Sequence, residues 1–160
     1  MSDLLKEPLR LFDVRGKVAV VTGASGAFGA LAARVLAAAG ARLVLAAGKA
    51  AELEAVAQQC RDLGAEVVAV ARRPGTEADC EAIMQAGVER FGGLDILVVG
   101  SGLNDVAFIV DMDPARFENV MHGNVTGAWL LCRAFGKRVI PQGRGGKVVL
   151  VSSARGTLGH

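Results

Sequence analysis

Apolar residues gather in short runs along the chain: KVAVV (17–21), ARLVLAA (41–47), EVVAVA (66–71), LDILVV (94–99) and KVVLVSS (147–153). These runs do not alternate with polar residues, which is the pattern of strands buried on both faces in a parallel sheet. Between them lie stretches of helical period, over 27–39, 51–63, 77–91 and a long segment from Pro114 to about Ile140. Parallel neighbours need crossovers that lay helices on both faces of the sheet. The alternation therefore predicts an α/β fold, a doubly wound parallel sheet of five strands in the order 3-2-1-4-5.

Local chemistry marks where the helices start and stop. Gly40 and Gly64 close the first two as C-caps. Thr76 with Asp79 three residues on has the spacing of a capping start, and Asp113 before Pro114 opens the long segment. The pattern shows no repeat beyond the strand-helix-strand unit, so a single domain over 1–160 is expected, with 1–14 as a lead-in.

Composition narrows the function classes. The 160 residues are 52% hydrophobic and 21% charged, the balance of one globular core. Eighteen basic side chains are interleaved with sixteen acidic ones for a net charge of +2, so neither a nucleic-acid footprint nor an anionic-membrane patch emerges. Cys60, Cys80 and Cys132 stand far apart without metal-ligand spacing, which predicts reduced thiols and no metal site. The first seventeen residues interleave charges and lack the apolar core of a secretion signal. A soluble, cytoplasmic protein without nucleic-acid or membrane partners is expected.

Candidate chemistry begins with TGASGAFGALAARVLAAAG (22–40), a glycine-rich turn opening into a helix straight after the first strand. A helix N-terminus offers free N–H groups and the positive end of its dipole, so a diphosphate can sit there. Gly23 would allow the tight turn and Gly29 the close approach of helix to sheet.

FDVRGKVAVVTGASGAFG (12–29) resembles the opening of the short-chain dehydrogenase/reductase family, whose fingerprint is TGxxxGxG. RFGGLDILV (90–98), NVTGAWLLCRA (124–134) and GGKVVLVSSARG (145–156) extend the resemblance from about Leu11 to His160. It implies a Rossmann-like fold, a nicotinamide cofactor and a small-molecule alcohol or ketone substrate. It also implies a cofactor-binding set of Thr22, Gly23, Ser25, Gly26, Phe28, Gly29, Gly48, Lys49, Arg73, Gly100 and Gly102.

The chain departs from the family pattern on the cofactor side. The middle glycine of the fingerprint falls on Ala27, with Gly26 one place earlier, and a positive φ at Ala27 would cost about 1–2 kcal/mol. Where the family has an acid for the NAD ribose, Ala47, Gly48 and Lys49 stand. The missing carboxylate tilts the choice between NAD and NADP toward NADP, with Lys49 either a cation for a 2′-phosphate or a solvated loop charge. Arg73 occupies the place of the adenine-binding aspartate, either to stack on adenine or as a surface charge. The family's NNAG becomes Val99, Gly100, Ser101 and Gly102.

The same resemblance makes Asn124 and Ser153 the catalytic candidates, Asn124 in a proton relay and Ser153 orienting the substrate oxygen; Ser152 would close the strand. An alkoxide forming or collapsing during hydride transfer needs such placed donors. The plainer readings are a helix asparagine satisfied by backbone and a serine ending a strand. The family's acid/base tyrosine has no counterpart, because the chain contains no tyrosine; in relatives its YxxxK motif follows the serine by roughly a dozen residues, which would fall beyond His160. His160 has an imidazole suited to proton transfer, while His122 is expected as a partly exposed helical residue pointing away from Asn124. Asp105, Phe108 and Asp111 are candidates for one wall of a substrate pocket.

These readings predict an NAD(P)-dependent oxidoreductase whose 160 residues alone do not turn over, with the fifth strand as an unpaired apolar edge. The alternative is a non-catalytic subunit associating with an active homologue. Association of like chains is expected through the 114–140 helix, along Val120, Val125, Trp129, Leu130 and Cys132.

Overall fold

Parallel strands β1 (Val18–Thr22), β2 (Arg42–Ala46), β3 (Val67–Val70), β4 (Ile96–Val99) and β5 (Lys147–Leu150) form one sheet in the order β3-β2-β1-β4-β5. The computed structural model describes residues 6–156 and 158. Helices α1 (Ala27–Ala38), α2 (Ala50–Asp62), α3 (Glu77–Phe91), α4 (Pro114–Met121) and α5 (Gly127–Gln142) connect the strands, after a short 3-10 turn at Pro8–Phe12. Among the described residues no helix is long and apolar enough to cross a membrane.

The sheet divides the core into two layers because successive strand side chains point to opposite faces. Ala19, Val21, Leu43, Leu45 and Val98 pack under α1 and α2, against Ala33, Ala37, Leu53 and Ala57. Val18, Val20, Val44, Leu97 and Val99 pack under α3 and α5, against Ile83, Met84, Leu131 and Phe135. All five residues of β1 are buried, which explains its unbroken apolar sequence. At the other extreme, every residue of β5 is exposed, so the expected apolar edge is present.

Two boundaries differ from the pattern-based expectation. The ladder of β5 ends at Leu150, followed by a bond from Val151 N–H to the Val99 carbonyl, so Ser152 lies beyond the strand instead of closing it. The long segment from Pro114 is not one α-helix: α4 and α5 are joined by a π-turn over His122–Thr126, where Gly127 N–H donates to the His122 carbonyl. Crowding at this turn comes from neighbours, since a Cβ on Gly127 would meet the Pro74 carbonyl oxygen at 2.8 Å and one on Gly123 would meet Leu103 at 2.7 Å. A one-residue widening leaves most of the hydrophobic period intact, which is why periodicity alone does not reveal it.

Helix ends follow the expected chemistry. Gly40 and Gly64 adopt φ of 85° and 90° after α1 and α2. At α3, Asp79 N–H donates to Thr76 Oγ1 at 3.1 Å, and the Thr76 hydroxyl donates back to the Asp79 carboxylate at 2.7 Å. That hydroxyl, with the Arg72 guanidinium next, holds the Asp79 carboxyl below its ordinary 3.8. A carboxyl whose folded pKa is lowered contributes stability that is complete above 3.8 and is lost as pH falls through the lowered value. Denaturation of wild type and Asp79→Asn across pH should give a stability gap constant above about pH 5 that closes on acidification; a gap independent of pH would exclude this role.

Candidate cofactor-binding and active site

Strand register lines up the carboxyl ends of the sheet. Thr22 pairs with Ala46 and Val99, Ala46 with Val70, and Val99 with Leu150, so these five residues form one row across the sheet. At about 4.8 Å between strands the row is roughly 19 Å wide. The third residue beyond it on each strand is Arg73, Lys49, Ser25, Gly102 and Ser153, in sheet order from β3 to β5. The topology thus sets residues from every cofactor-side loop and the serine candidate along one edge.

The centre of this edge is backbone packed on backbone. Gly23 has φ of 66°, and a Cβ there would overlap the Gly100 carbonyl. A Cβ on Gly29 would overlap the Gly23 carbonyl, and one on Gly100 would approach the Thr22 oxygen at 2.9 Å. Thr22 is fully buried, and its hydroxyl lies 3.0 Å from that of Ser101, tying the turn after β1 to the turn after β4. The Ser101 hydroxyl is a contribution that glycine spacing did not single out; the signal was a hydroxyl where the family's NNAG has alanine.

Gly26 is the N-cap of α1 with φ of −84°, and no side chain caps the helix. The expected strain at Ala27 does not arise, because Ala27 is already helical and no non-glycine residue has positive φ among the described residues. Uncapped first-turn N–H groups beside a glycine cradle that any Cβ would fill are a donor set fitted to a diphosphate. Ser25 is half-buried at this mouth, whereas the Phe28 ring is exposed.

At the β2–β3 end, Gly48 lies under the Arg73 side chain, whose Cγ and Nε sit 2.7 Å from where a Gly48 Cβ would be. Lys49 is paired with Glu52 at 3.4 Å and Arg72 with Asp79 at 2.9 Å. The loop carrying Arg73 is braced from the far side by His122, whose Nε2–H donates to the Gly75 carbonyl at 2.8 Å. His122 is exposed but engaged, and it does point to a different neighbour from Asn124.

Asn124 grips the loop after β4. Its Oδ1 accepts from Leu103 N–H at 3.0 Å and its Nδ2 donates to the Leu103 carbonyl at 2.7 Å, with Gly102 leaving space for the amide oxygen. The amide is therefore satisfied by backbone and holds the loop that follows Gly102. Arg116 pairs with Asp105 in the same loop, holding the Asp105 carboxyl below its usual range, while Phe108 and Asp111 are exposed. Ser153 is exposed, and its carbonyl accepts from Gly156 N–H at 3.0 Å; His160 lies outside the described residues.

Thiol chemistry is not favoured here: burial pushes the Cys80 thiol up to about 11 and raises those of Cys60 and Cys132. Among the described residues no group of three or more His, Cys, Asp or Glu side chains is placed to hold a metal.

A doubly wound parallel sheet with a glycine cradle at the carboxyl end of β1 defines the class of Rossmann-like, dinucleotide-binding folds. Within that class the chain belongs to the short chain dehydrogenase family, which it matches over residues 17–160. It is 47% identical over 153 residues to an uncharacterized oxidoreductase of Mycobacterium tuberculosis, covering 95% of this chain and 56% of that protein. A short-chain type dehydrogenase/reductase from Mycobacterium marinum superposes with a TM-score of 0.91 at 30% identity, covering 95% of this chain and 62% of that one. Carveol dehydrogenase from Mycobacterium avium, in complex with NAD, gives 0.87 at 27% identity, covering 92% and 58%. The chain thus spans little more than half the length of these relatives.

Two glycine substitutions separate backbone strain from packing. Gly23→Ala and Gly64→Ala both place a Cβ on a positive-φ residue, but nothing lies within 4 Å of the Gly64 position. Urea denaturation should show Gly64→Ala costing about 1–2 kcal/mol and Gly23→Ala costing clearly more; equal losses would mean the Gly23–Gly100 contact yields freely.

Proposed function

We propose that the chain forms the cofactor-binding part of an NAD(P)-dependent oxidoreductase of the short-chain dehydrogenase type, acting in the cytoplasm on a small alcohol or ketone. The observation that carries this reading is the in-register row of strand ends, with the glycine cradle at its centre and Ser153 after its last strand. Its width of about 19 Å suits an extended dinucleotide lying across the strand ends.

In this reading the first-turn N–H groups of α1 hold the diphosphate, and Gly23, Gly29 and Gly100 let the turns after β1 and β4 pack closely behind it. Bound nicotinamide would supply hydride exchange. Asn124 keeps the loop after β4 in place through Leu103, and Ser153 donates a hydrogen bond to the substrate oxygen. These residues orient and stabilise; none of them is a proton donor of suitable pKa. With no tyrosine present, the 160 residues are expected to bind cofactor without turnover.

Titration with NADH and NADPH, followed by nicotinamide fluorescence, should give saturable binding with no turnover of added ketones. Absence of binding by the folded protein would overturn the reading and favour the alternative of a non-catalytic subunit.

Association of like chains through α4 and α5 belongs to the same proposal. The exposed apolar stripe differs in membership from the expected one: Phe117, Met121, Val125 and Trp129 follow one another at four-residue spacing, all 42–60% exposed, while Leu130 and Cys132 are half-buried. Such a stripe is large enough in character to bind a second helix pair. Sedimentation should show a self-associating protein, and Trp129→Lys should shift it toward monomer; an unchanged distribution would remove this face as the interface.

A further inference from the structure

The end of the row formed by β2 and β3 holds a cation whose arrangement no structural role accounts for. Arg73 is exposed, and its guanidinium makes no hydrogen bond or ion pair among the described residues, although its side chain lies against Gly48, with Cγ and Nε 2.7 Å from the missing Cβ. Its neighbours are committed elsewhere: Arg72 to Asp79 at 2.9 Å and Lys49 to Glu52 at 3.4 Å. The charge is uncompensated in a place where only glycine lets it lie.

The loop that carries Arg73 is held on three sides. Arg72 N–H donates to the Val70 carbonyl at 2.8 Å, and Gly75 N–H to the Arg73 carbonyl at 2.9 Å. His122 clamps Gly75, and the Pro74 carbonyl is seated against Gly127 of the π-turn. A braced loop with a free guanidinium is preorganised for a doubly charged phosphate, since the planar arginine fork offers paired donors to two of its oxygens and no acceptor. Ala47 and Gly48 add no carboxylate to repel one.

We propose that Arg73, through its seat on Gly48, is the residue by which this chain selects a dinucleotide bearing a phosphate on the adenosine ribose. This rests on the proposed cofactor site, with the adenosine lying toward β2 and β3. Lys49 is then a helix-end charge paired with Glu52, and not the reader of that phosphate.

The test uses the full chain, calorimetric titration with NADPH and NADH, and the variants Arg73→Ala and Arg73→Lys, with circular dichroism to check folding. Because Arg73 is exposed and unpaired, both variants should fold normally. Wild type should bind NADPH more tightly than NADH, and Arg73→Ala should lose about ten- to a hundredfold in NADPH affinity while NADH changes by no more than about twofold. Arg73→Lys should retain part of the preference, and the salt dependence of NADPH binding should flatten in Arg73→Ala. Equal weakening of both cofactors, as adenine stacking would produce, overturns the proposal, as does unchanged NADPH binding. A wild type that binds both equally well overturns it while leaving the proposed function intact; a wild type that binds neither overturns both.

Discussion

Everything at the carboxyl edge of the sheet depends on three backbone segments being allowed to touch. Gly23, Gly29 and Gly100 bring the turn after β1, the first turn of α1 and the turn after β4 into contact without side chains between them. The Thr22 and Ser101 hydroxyls close this contact from the buried side. A Cβ on Gly29 would force α1 back from the turn after β1 and carry its open N–H groups away from the cradle, while one on Gly23 or Gly100 would part the turn after β4 from the end of β1. The approach is a steric condition first and an electrostatic one second: the dipole of α1 acts on a ligand only because the glycines let it come near.

Away from that contact, roles are distributed along the row. The β2–β3 side is basic and open, with Arg73 over Gly48, while the β4–β5 side carries neutral donors in Asn124 and Ser153. The face of the sheet under α3 and α5 is stitched by Glu77 and Glu81 against Arg133, Lys137 and Arg138. These pairs are largely solvated, so they orient two helices more than they stabilise them. The deep apolar layers beneath supply the cohesion, and the surface charges set register.

Sequence pattern made most of this legible, for reasons that can be traced. Buried parallel strands have to be apolar on both faces, so Val18 to Val21 and Leu43 to Ala46 announce themselves, and glycine after a helix does the same for Gly40 and Gly64. Positions governed by a distant neighbour were not readable. The π-turn at His122–Thr126 is set by Pro74 and Leu103 from other segments, and the absence of strain at Ala27 follows from α1 starting there. Gly48 reads as an ordinary loop glycine until Arg73 is seen lying on it. Asn124 was identifiable as a candidate, but its grip on both polar groups of Leu103 is a tertiary fact.

The π-turn has a genetic consequence. Such a turn is equivalent to one extra residue in an α-helix, and each residue of an α-helix turns the chain by about 100°. A single-codon deletion between residues 122 and 126 would therefore leave a longer, regular helix that is locally more favourable. It would also rotate α4 against α5, taking His122 off Gly75 or Asn124 off Leu103. The break in the helical run from α4 to α5 is thus a place where an in-frame deletion should be poorly tolerated, even though the deleted segment is mostly solvent-facing.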